Sequence, residues 1–253
     1  MGLKESSLEM SLALVRRFLG DYPTAPSCVL LAGSRGKGTA KENSDYDLIF
    51  LYEELTSGAW REMTSYAGAD FEIFAHDLRT LEYFLREIER PSGEASLACM
   101  IFEGIPVLGE NTALEAEARD MVKRFLSAGP PPLSEATLSQ RRYAITDLAE
   151  MLKSADSSAQ QISIGSALHS ALGSFVLSAN GRWAASGKAL PAALRNFNPG
   201  LESKFRNAFV HLFTSGKDSL LQELVDDILK PFGGRLRSGF RQQAPSSWRS
   251  RKG

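Results

Sequence analysis

Residues 30–52 read LLAGSRGKGTAKENSDYDLIFLY, two apolar runs on either side of a segment rich in glycine, serine and lysine. The first run begins at residue 27 and ends at residue 32, and the second covers residues 47–52. Short apolar runs bounded by turn residues are typical of buried β-strands. Residues 33–44 contain too many turn formers for a regular element, so we expect a loop that joins two strands.

Two aspartates separated by one residue stand at the start of the second predicted strand. In an extended chain, residues i and i+2 point to the same side, so the carboxylates of Asp45 and Asp47 should project together. Two like charges repel each other, and a hard cation between them relieves the repulsion. Residues 43–45, Asn-Ser-Asp, are equally typical of a turn. The Asp-Tyr-Asp motif alone therefore leaves a metal site and a simple turn both open.

Gly33 and Ser34 directly follow the first predicted strand. A glycine lets the backbone approach a phosphate group closely, and exposed N–H and hydroxyl groups can donate hydrogen bonds to its oxygens. Gly-Ser turns are common, and for this pair alone a purely structural role is the better interpretation. The segment GSRGKG, residues 33–38, is not a P-loop, because it lacks the Gly-Lys-Ser/Thr ending and the helix that follows it.

A third strand is predicted at residues 69–75, ADFEIFA, from its alternating pattern. Glu72 lies among two phenylalanines and an isoleucine in this strand. A charged group among apolar residues is costly unless it is paired or bound to a metal. Asp70 shares the face of Glu72 but lies nearer the preceding glycine, so we expect Asp70 to face solvent.

Apolar periodicity predicts the other elements of the N-terminal half. Residues 8–19 carry an apolar helical stripe, and residues 60–66 are also expected to form a helix. Asp77 fits the N-cap of a further helix, which Pro91 should end. Residues 114–125 again show an apolar helix face.

Residues 129–132, Gly-Pro-Pro-Pro, fit neither a helix nor a central strand, and we place a domain boundary there. Beyond it, apolar residues recur only at helical spacing. We therefore expect an α+β fold, with a small mixed-sheet domain over residues 1–128 and an all-helical bundle domain over residues 134–231. The helices predicted for the second domain cover residues 135–154, 162–179, 201–215 and 219–229.

The C-terminal end of the chain is basic. Beyond Asp227 no acidic residue remains, and seven lysines and arginines stand among glycine, serine, glutamine and proline. This composition predicts a flexible basic tail over residues 232–253. Such a tail can bind RNA or acidic lipid, but a solubilising role is favoured because few aromatic residues accompany the charges.

The composition, with 43% hydrophobic and 23% charged residues, is that of a soluble globular protein. A formal net charge of −1 provides no long-range attraction to nucleic acid or to an anionic membrane. Cys28 and Cys99 lie in apolar runs, which favours two buried thiols in a reducing compartment over a disulfide. No secretory signal and no stretch of ~18 apolar residues are apparent. These features predict a cytoplasmic protein that binds no membrane and for which nucleic acid is not the favoured partner.

The glycine-serine pair followed by Asp-x-Asp, with eleven positions from Ser34 to Asp45, resembles the signature of the DNA polymerase β-like nucleotidyltransferases. The downstream EIFAHD, residues 72–77, resembles the strand that supplies the third carboxylate of that superfamily. The resemblance implies that Asp45, Asp47 and Glu72 hold two Mg²⁺ ions. It further implies that Gly33 and Ser34 grip the β- and γ-phosphates of an NTP. Arg35 and Lys37 are additional candidates for the triphosphate, although both can simply be solvated.

In the second domain, GRWAASGKALPAAL, residues 181–194, resembles a Trp, Gly-Lys, Leu segment of bacterial aminoglycoside-nucleotidyltransferase-like proteins. The resemblance implies phosphate contact by Lys188, although Ala189 and Pro191 depart from the pattern of many relatives. In related enzymes a carboxylate of the second domain takes the acceptor's proton. Asp147 and Glu150, which are i, i+3 neighbours, are the candidates for this general base, with Asp147 preferred. A solvated helix face explains the same two residues equally well.

Taken with the residues, the resemblance implies an enzyme that uses Mg²⁺ to transfer a nucleoside monophosphate, AMP from ATP, to a hydroxyl of a small-molecule acceptor. An aminoglycoside-like compound is one such acceptor. Protein nucleotidylation and nucleotide addition to RNA are alternatives within the superfamily. A non-catalytic nucleotide sensor is the alternative from a different class. The three histidines are scattered and lack zinc-ligand spacing, so they are interpreted as structural.

Overall fold

The computed structural model describes residues 2–244 and Trp248, with side chains described from Leu8 onward. The chain divides into two compact units, Met1–Pro130 and Pro131–Gly253. The first contains a five-stranded mixed sheet with helices, and the second is helical over its described residues. The predicted α+β class, with a mixed-sheet domain followed by a helical domain, is confirmed.

The sheet of the first unit has the strand order β3-β4-β2-β1-β5. Strands β2 and β4 pair in parallel, whereas the other neighbouring strands are antiparallel. The strands predicted from the apolar runs are present as β1, β2 and β4. The five strands are β1 (Cys28–Leu31), β2 (Tyr46–Leu51), β3 (Trp60–Tyr66), β4 (Ala69–His76) and β5 (Ile105–Leu108).

Trp60–Tyr66 is the edge strand β3, so the helix predicted over these residues is wrong. Residues at even positions of the strand are half-buried and those at odd positions are exposed, which is the period of a strand with one solvated face. Ala67 and Gly68, with φ angles of 51° and 80°, connect β3 directly to β4. Two consecutive residues with positive φ form the tight turn that suits an antiparallel hairpin. The hairpin partner, which the local periodicity of seven residues does not reveal, decides the conformation.

One face of the sheet is covered by the N-terminal helix α1 (Gly2–Asp21). The Phe18 ring stacks on the Phe71 ring at 4.4 Å between centroids, and Tyr46 stacks on Phe71 at 4.7 Å. Val15 is fully buried in the same cluster. The apolar stripe predicted for this helix is thus the surface that packs on the sheet.

The opposite face carries the side chains that alternate with this core, and helices from residue 78 onward lie over it. Ring contact between His76 of β4 and Phe84, at 5.5 Å between centroids, marks this packing. Fully buried Leu81 and Ile101 belong to these helices. These helical segments are α3 (Leu78–Tyr83), a π-helical turn (Phe84–Glu89), α4 (Arg90–Ser92), α5 (Ser96–Glu103) and α6 (Ala113–Ala128). A separate single helical turn, α2 (Gly33–Gly36), follows β1.

Asp77 is the N-cap of α3, as predicted, and its carboxylate accepts a hydrogen bond of 2.7 Å from the Thr80 N–H. Pro91 does not end the helical path that begins there. It stands in the first turn of α4, where a missing N–H costs little, and the path ends at Gly93 with a φ of 74°. The sequence also missed α5 and β5, because an apolar run this short does not distinguish a helix from a strand.

The second unit consists of α7 (Glu135–Lys153), α8 (Ser158–Ala179), α9 (Leu190–Phe197), α10 (Pro199–Ser215) and α11 (Ser219–Leu229). Four of them match predicted helices, and α9 was missed because it is short and has Pro191 in its first turn. Gly173 lets α9 approach α8, since a Cβ at this position would lie 2.5 Å from a methyl carbon of Leu190. The core includes Ile145, Leu152, Leu168, Leu172, Phe175, Leu194, Phe205, Phe209, Leu212, Leu221 and Val225.

Helix α8 is long and apolar enough to cross a membrane by length and composition, contrary to the expectation that no segment approaches this. Leu168, Leu172 and Phe175 of this helix are fully buried in the core of the second unit. Core packing therefore accounts for the apolar character of α8.

The first part of the predicted basic tail is packed against α7, which differs from the expectation of a flexible segment. The Arg142 guanidinium donates hydrogen bonds to the Gly234 carbonyl, and the Leu236 N–H donates to the Thr146 hydroxyl at 3.1 Å. The Phe240 ring stacks on Tyr143 at 4.1 Å. The rest of the predicted tail, residues 245–247 and 249–253, lies outside the described residues.

Both cysteines are free thiols, as predicted, but only Cys28 is buried, whereas Cys99 is half-buried. Burial raises the pKa of each thiol to about 11.

Candidate metal centre

Three carboxylates converge at one end of the parallel strand pair. Asp47 is the second residue of β2, Asp45 precedes the strand, and Glu72 lies in β4. The parallel register pairs Asp47 with Glu72, and Asp45 projects to the same side because it is two residues from Asp47. One carboxylate oxygen from each of the three residues lies within 4.8 Å of the others. The convergence predicted from the sequence is present.

The three clustered acidic residues are less exposed than Asp70, a neighbouring acidic residue outside the cluster. Asp45 and Asp47 are half-buried, and Glu72 is buried. Asp70, two residues before Glu72 on the same face of β4, is exposed and accepts a hydrogen bond of 2.7 Å from the Ser65 hydroxyl. The prediction that Asp70 faces solvent and Glu72 belongs to the cluster is confirmed.

Gly33 borders the cluster and leaves room for the Asp47 carboxylate. A Cβ at Gly33 would lie 1.7 Å from Asp47 Oδ2, and the backbone has a φ of +59°, which L side chains rarely adopt. The Ala32 N–H also donates a hydrogen bond of 2.8 Å to the Asp47 carbonyl oxygen. The glycine that the sequence assigned to phosphate approach therefore has a steric function as well, because only hydrogen fits beside Asp47.

Arg35, predicted as a nucleotide ligand, is engaged within its own loop. Its Nε donates hydrogen bonds to the Ser44 carbonyl at 3.0 Å and to the Asp45 carbonyl at 3.2 Å. The guanidinium lies over the Tyr46 ring, 3.8 Å from the centroid. These contacts fix the backbone at the start of β2. Phosphate binding by Arg35 remains a prediction, to which the structure adds a structural function.

Lys37 is likewise engaged, since its ammonium lies 2.7 Å from a carboxylate oxygen of Glu103 at the end of α5. Ser34 belongs to the single helical turn α2, which replaces part of the loop expected over residues 33–44. Its role toward phosphate remains a prediction.

An arginine that the sequence analysis did not single out contacts the third carboxylate. Arg61, on the edge strand β3, places both its Nε and its Nη2 against Oε1 of Glu72. The helix predicted over residues 60–66 concealed this contact, because it removed the strand that brings Arg61 to the cluster. The strand formers Trp60, Thr64 and Tyr66, all at even positions of that segment, were the available signal.

Asp147 and Lys188 lie in the second unit and remain predictions. Asp147 is half-buried on α7, and Lys188 is exposed in the short turn Gly187–Ala189. Glu150, the other candidate base, lies 2.7 Å from the Lys153 ammonium and 2.9 Å from Nη1 of Arg235. The hydrogen bond from Lys153, with the charges of both cations, lowers the pKa of Glu150. A carboxylate held by two cations is a weaker base, which leaves Asp147 as the better candidate of the pair.

Two of the histidines pack as structural residues, in accord with the sequence interpretation. His169 contacts the rings of Phe205 and Phe209 within the helical core. His76 is buried beside Phe84, and burial lowers its pKa to about 4.

The chemistry of the cluster suits a divalent cation. Carboxylate oxygens are the ligands that Mg²⁺ prefers, and three of them within one small volume supply negative charge that a cation can neutralise. Asp47 and Glu72 lie on two paired strands of one sheet, and Asp45 directly precedes one of them, which makes the arrangement more rigid than a loop-borne cluster. Asp45, Asp47 and Glu72 could therefore hold a metal.

Comparison with known proteins gives little further information. No known protein family matches the chain, and no curated protein matches it. Among solved structures, the chain is similar to a nucleotidyltransferase-like protein from Exiguobacterium sibiricum 255-15, at 11% sequence identity and a TM-score of 0.38. The similarity covers 88% of this chain and 78% of that one. At this level of similarity, function has to be argued from the site itself.

Proposed function

We propose that the protein is a Mg²⁺-dependent nucleotidyltransferase that moves a nucleoside monophosphate, AMP from ATP, to a hydroxyl group of a small-molecule acceptor. The observation that carries the proposal is the cluster of Asp45, Asp47 and Glu72, with one oxygen of each within 4.8 Å of the others. Gly33, where a Cβ would collide with Asp47, supports it independently. A site for hard cations beside a turn whose backbone and hydroxyl groups can donate to phosphate suits phosphoryl transfer.

In the proposed reaction, the hydroxyl oxygen of the acceptor forms a bond to the α-phosphorus of the NTP. The bond between that phosphorus and the bridging oxygen of pyrophosphate breaks, and the hydroxyl proton passes to a base. When bound, Mg²⁺ supplies Lewis acidity and neutralises charge on the triphosphate. Asp45, Asp47 and Glu72 would hold two such ions, and Gly33 with Ser34 would position the β- and γ-phosphates through backbone and hydroxyl donors.

The assignments in the second unit complete the proposal. Asp147 would accept the acceptor's proton, because Glu150 is already bound by Lys153 and Arg235. Lys188 would contact phosphate from its exposed turn. An RNA acceptor is less favoured, since the charge of Arg235 in the basic segment is already paired with Glu150 and Asp226.

The proposal is tested by incubating the purified protein with each of the four NTPs, Mg²⁺ and a panel of acceptors, while pyrophosphate release is measured. The panel contains aminoglycosides, other small hydroxyl compounds, RNA and proteins, with α-labelled NTP to show which acceptor is modified. Asp45→Asn and Asp47→Asn should each lower pyrophosphate release by about 10²-fold or more, because loss of a metal ligand removes several kcal/mol of transition-state stabilisation. Asp70→Asn is the matched control, an exposed carboxylate on the face of Glu72 but outside the cluster.

Each alternative function gives a distinct result in this assay. Label found on a protein or on RNA would identify that macromolecule, and not a small molecule, as the acceptor. Nucleotide binding without pyrophosphate release, across all acceptors and all four NTPs, would refute the enzyme and favour a nucleotide sensor. An equal loss of activity in Asp70→Asn would mean that the cluster is not special among the carboxylates of this sheet.

A further inference from the structure

Arg61 makes a directed contact with the buried member of the carboxylate cluster. Its Nε and Nη2 both lie against Oε1 of Glu72, so the described bonds of this guanidinium use one of the two carboxylate oxygens. The side chain of Glu72 is 11% exposed, whereas that of Arg61 is 67% exposed. The contact thus extends from solvent to a carboxylate that is largely removed from water.

The strand register places Arg61 next to Glu72. In the antiparallel β3–β4 pair, Arg61 is opposite Phe74 and Met63 is opposite Glu72, so Arg61 is the diagonal neighbour of Glu72. A long side chain spans a diagonal of this kind readily. The guanidinium also lies 5.2 Å from the centroid of the Phe74 ring, which supports it along its path.

Arg61 has two opposing effects on a cation in the cluster, charge repulsion and orientation of the Glu72 carboxylate. The positive charge of Arg61 repels a cation, but water around this exposed group screens the repulsion. The hydrogen bond from Nε and the ion-pair contact of Nη2 restrict the rotation of the Glu72 carboxylate, and carboxylates that bind metals are commonly oriented by such partners. Arg61 orients the Glu72 carboxylate by direct contact, and solvent screens this contact much less than it screens the repulsion between Arg61 and the cation. The gain in affinity from orientation should therefore exceed the loss from repulsion.

We propose that Arg61 is a positioning residue for the metal site: by binding Oε1, it holds the Glu72 carboxylate so that its other oxygen faces Asp45 and Asp47. This inference rests on the proposed function, because it assumes that the cluster binds a divalent cation. The proposal gives Arg61 no contact with nucleotide or acceptor, because Arg61 acts through Glu72 alone.

Mn²⁺ binding to the full-length protein, measured by titration with detection of free Mn²⁺ by electron paramagnetic resonance, tests the role without any acceptor or nucleotide. Arg61→Ala should weaken Mn²⁺ affinity by about tenfold, the lower end of the effect of removing a partner of a metal ligand. Arg61→Lys, which keeps the charge but not the paired donors, should fall between the wild type and Arg61→Ala. Met63→Ala is the matched control, because Met63 is exposed on the same strand directly opposite Glu72.

A double-mutant cycle separates positioning from a general effect on the fold. Once Glu72 is changed to Gln, the further change Arg61→Ala should no longer weaken Mn²⁺ affinity, because the carboxylate through which Arg61 acts is gone and only the screened repulsion is removed. Wild-type or tighter Mn²⁺ binding by Arg61→Ala would overturn the positioning role while leaving the proposed function intact. Absence of Mn²⁺ binding by the wild-type protein would instead overturn the metal site and the role of Arg61 together.

Discussion

At the scale of single residues, the space between Gly33 and Asp47 decides whether the carboxylate cluster can exist. The carboxylate of Asp47 occupies the volume that a Cβ at Gly33 would need, with Oδ2 only 1.7 Å from that position. The N–H of Ala32, directly after β1, donates a hydrogen bond of 2.8 Å to the carbonyl oxygen of Asp47 in β2. The loop therefore cannot move away without breaking this bond.

Gly33→Ala should lower nucleotidyl transfer by about 10²-fold, because displacing a metal ligand by roughly 1 Å misplaces the reacting groups. Gly38→Ala is a closely matched control. Gly38 also has a positive φ, +64°, but a Cβ there would have nothing within 4 Å. Pyrophosphate release and Mn²⁺ affinity should both fall in Gly33→Ala and remain near wild type in Gly38→Ala. Equal losses in the two variants would assign the effect to backbone strain rather than to the contact with Asp47.

Arg35 illustrates a limit of sequence interpretation at the same scale. Its neighbourhood of glycines predicted a mobile cation available to phosphate, whereas the structure gives it carbonyl partners at Ser44 and Asp45 and a ring partner at Tyr46. Those partners follow Arg35 by nine to eleven positions and meet it only when the loop closes. A composition rule for residues 33–38 does not contain that information.

At the scale of elements, the π-helical turn Phe84–Glu89 ends in a buried carboxylate that supports the next helix. Glu89 is 4% exposed and accepts hydrogen bonds from the N–H groups of Leu97, at 2.5 Å, and Ala98, at 3.2 Å. These N–H groups belong to the first turn of α5, which has no other side-chain cap at its N-cap residue. Glu89 thus replaces the missing cap from a separate segment.

Burial raises the pKa of Glu89 to about 7, against the opposing effect of its two backbone hydrogen bonds. A carboxyl group with a raised pKa in the folded state binds more protons there than in the unfolded state, so stability falls as pH rises through the window from about 4.5 to about 7. The contribution of Glu89 to the free energy of unfolding should therefore be greatest below pH 4.5. It should decline by on the order of 2–3 kcal/mol by pH 8.

Glu89→Gln removes this titration and keeps one acceptor for the α5 N–H groups. The difference in unfolding free energy between wild type and Glu89→Gln, measured by urea denaturation from pH 4.5 to 8, should shift in favour of the variant as pH rises. Because His76 titrates in both proteins, its effect cancels from the difference. A difference that is independent of pH would show that Glu89 keeps an ordinary pKa.

The segment 233–240 is a second feature at this scale, since it is held by α7 and α11 of the same unit. The Arg235 guanidinium lies 2.7 Å from Asp226 and 2.9 Å from Glu150, and Nη2 donates to the Gln222 carbonyl at 3.1 Å. Its side chain is 20% exposed, far less than is usual for a surface arginine. Arg235 therefore connects two helices to the segment that follows them.

Arg235→Ala should lower the free energy of unfolding by about 1–3 kcal/mol, because it leaves partly buried carboxylate and carbonyl groups without their partner. Arg237→Ala, an exposed arginine two residues later, should change it by less than about 0.5 kcal/mol. Chemical denaturation followed by circular dichroism measures both. Equal stability of the two variants would mean that the segment contributes nothing to the helical unit.

At the scale of the whole molecule, the sequence determined the α+β class, the change from mixed sheet to helices, and the candidate status of Asp45, Asp47 and Glu72. Each of these depends on local physical rules: apolar run length, helical spacing, the two-residue period of a strand, and the cost of burying Glu72 among apolar neighbours. The grouping of the three acids into one metal site was implied by the family resemblance, because these local rules left a simple turn at Asp45 equally open. The boundary between the compact units falls between Pro130 and Pro131, inside a run that no regular element tolerates.

Tertiary structure alone decided what depends on partners distant in the chain. Pairing with β4 made residues 60–66 a strand, and that strand brought Arg61 to Glu72. Packing on α7 held residues 233–240, which composition predicted to be flexible. Local sequence fixes backbone preference and polarity, whereas hydrogen bonds and ion pairs across a fold form only when separate segments meet. Arg61 and Gly33 thus acquire their positions around the carboxylates from the folded sheet.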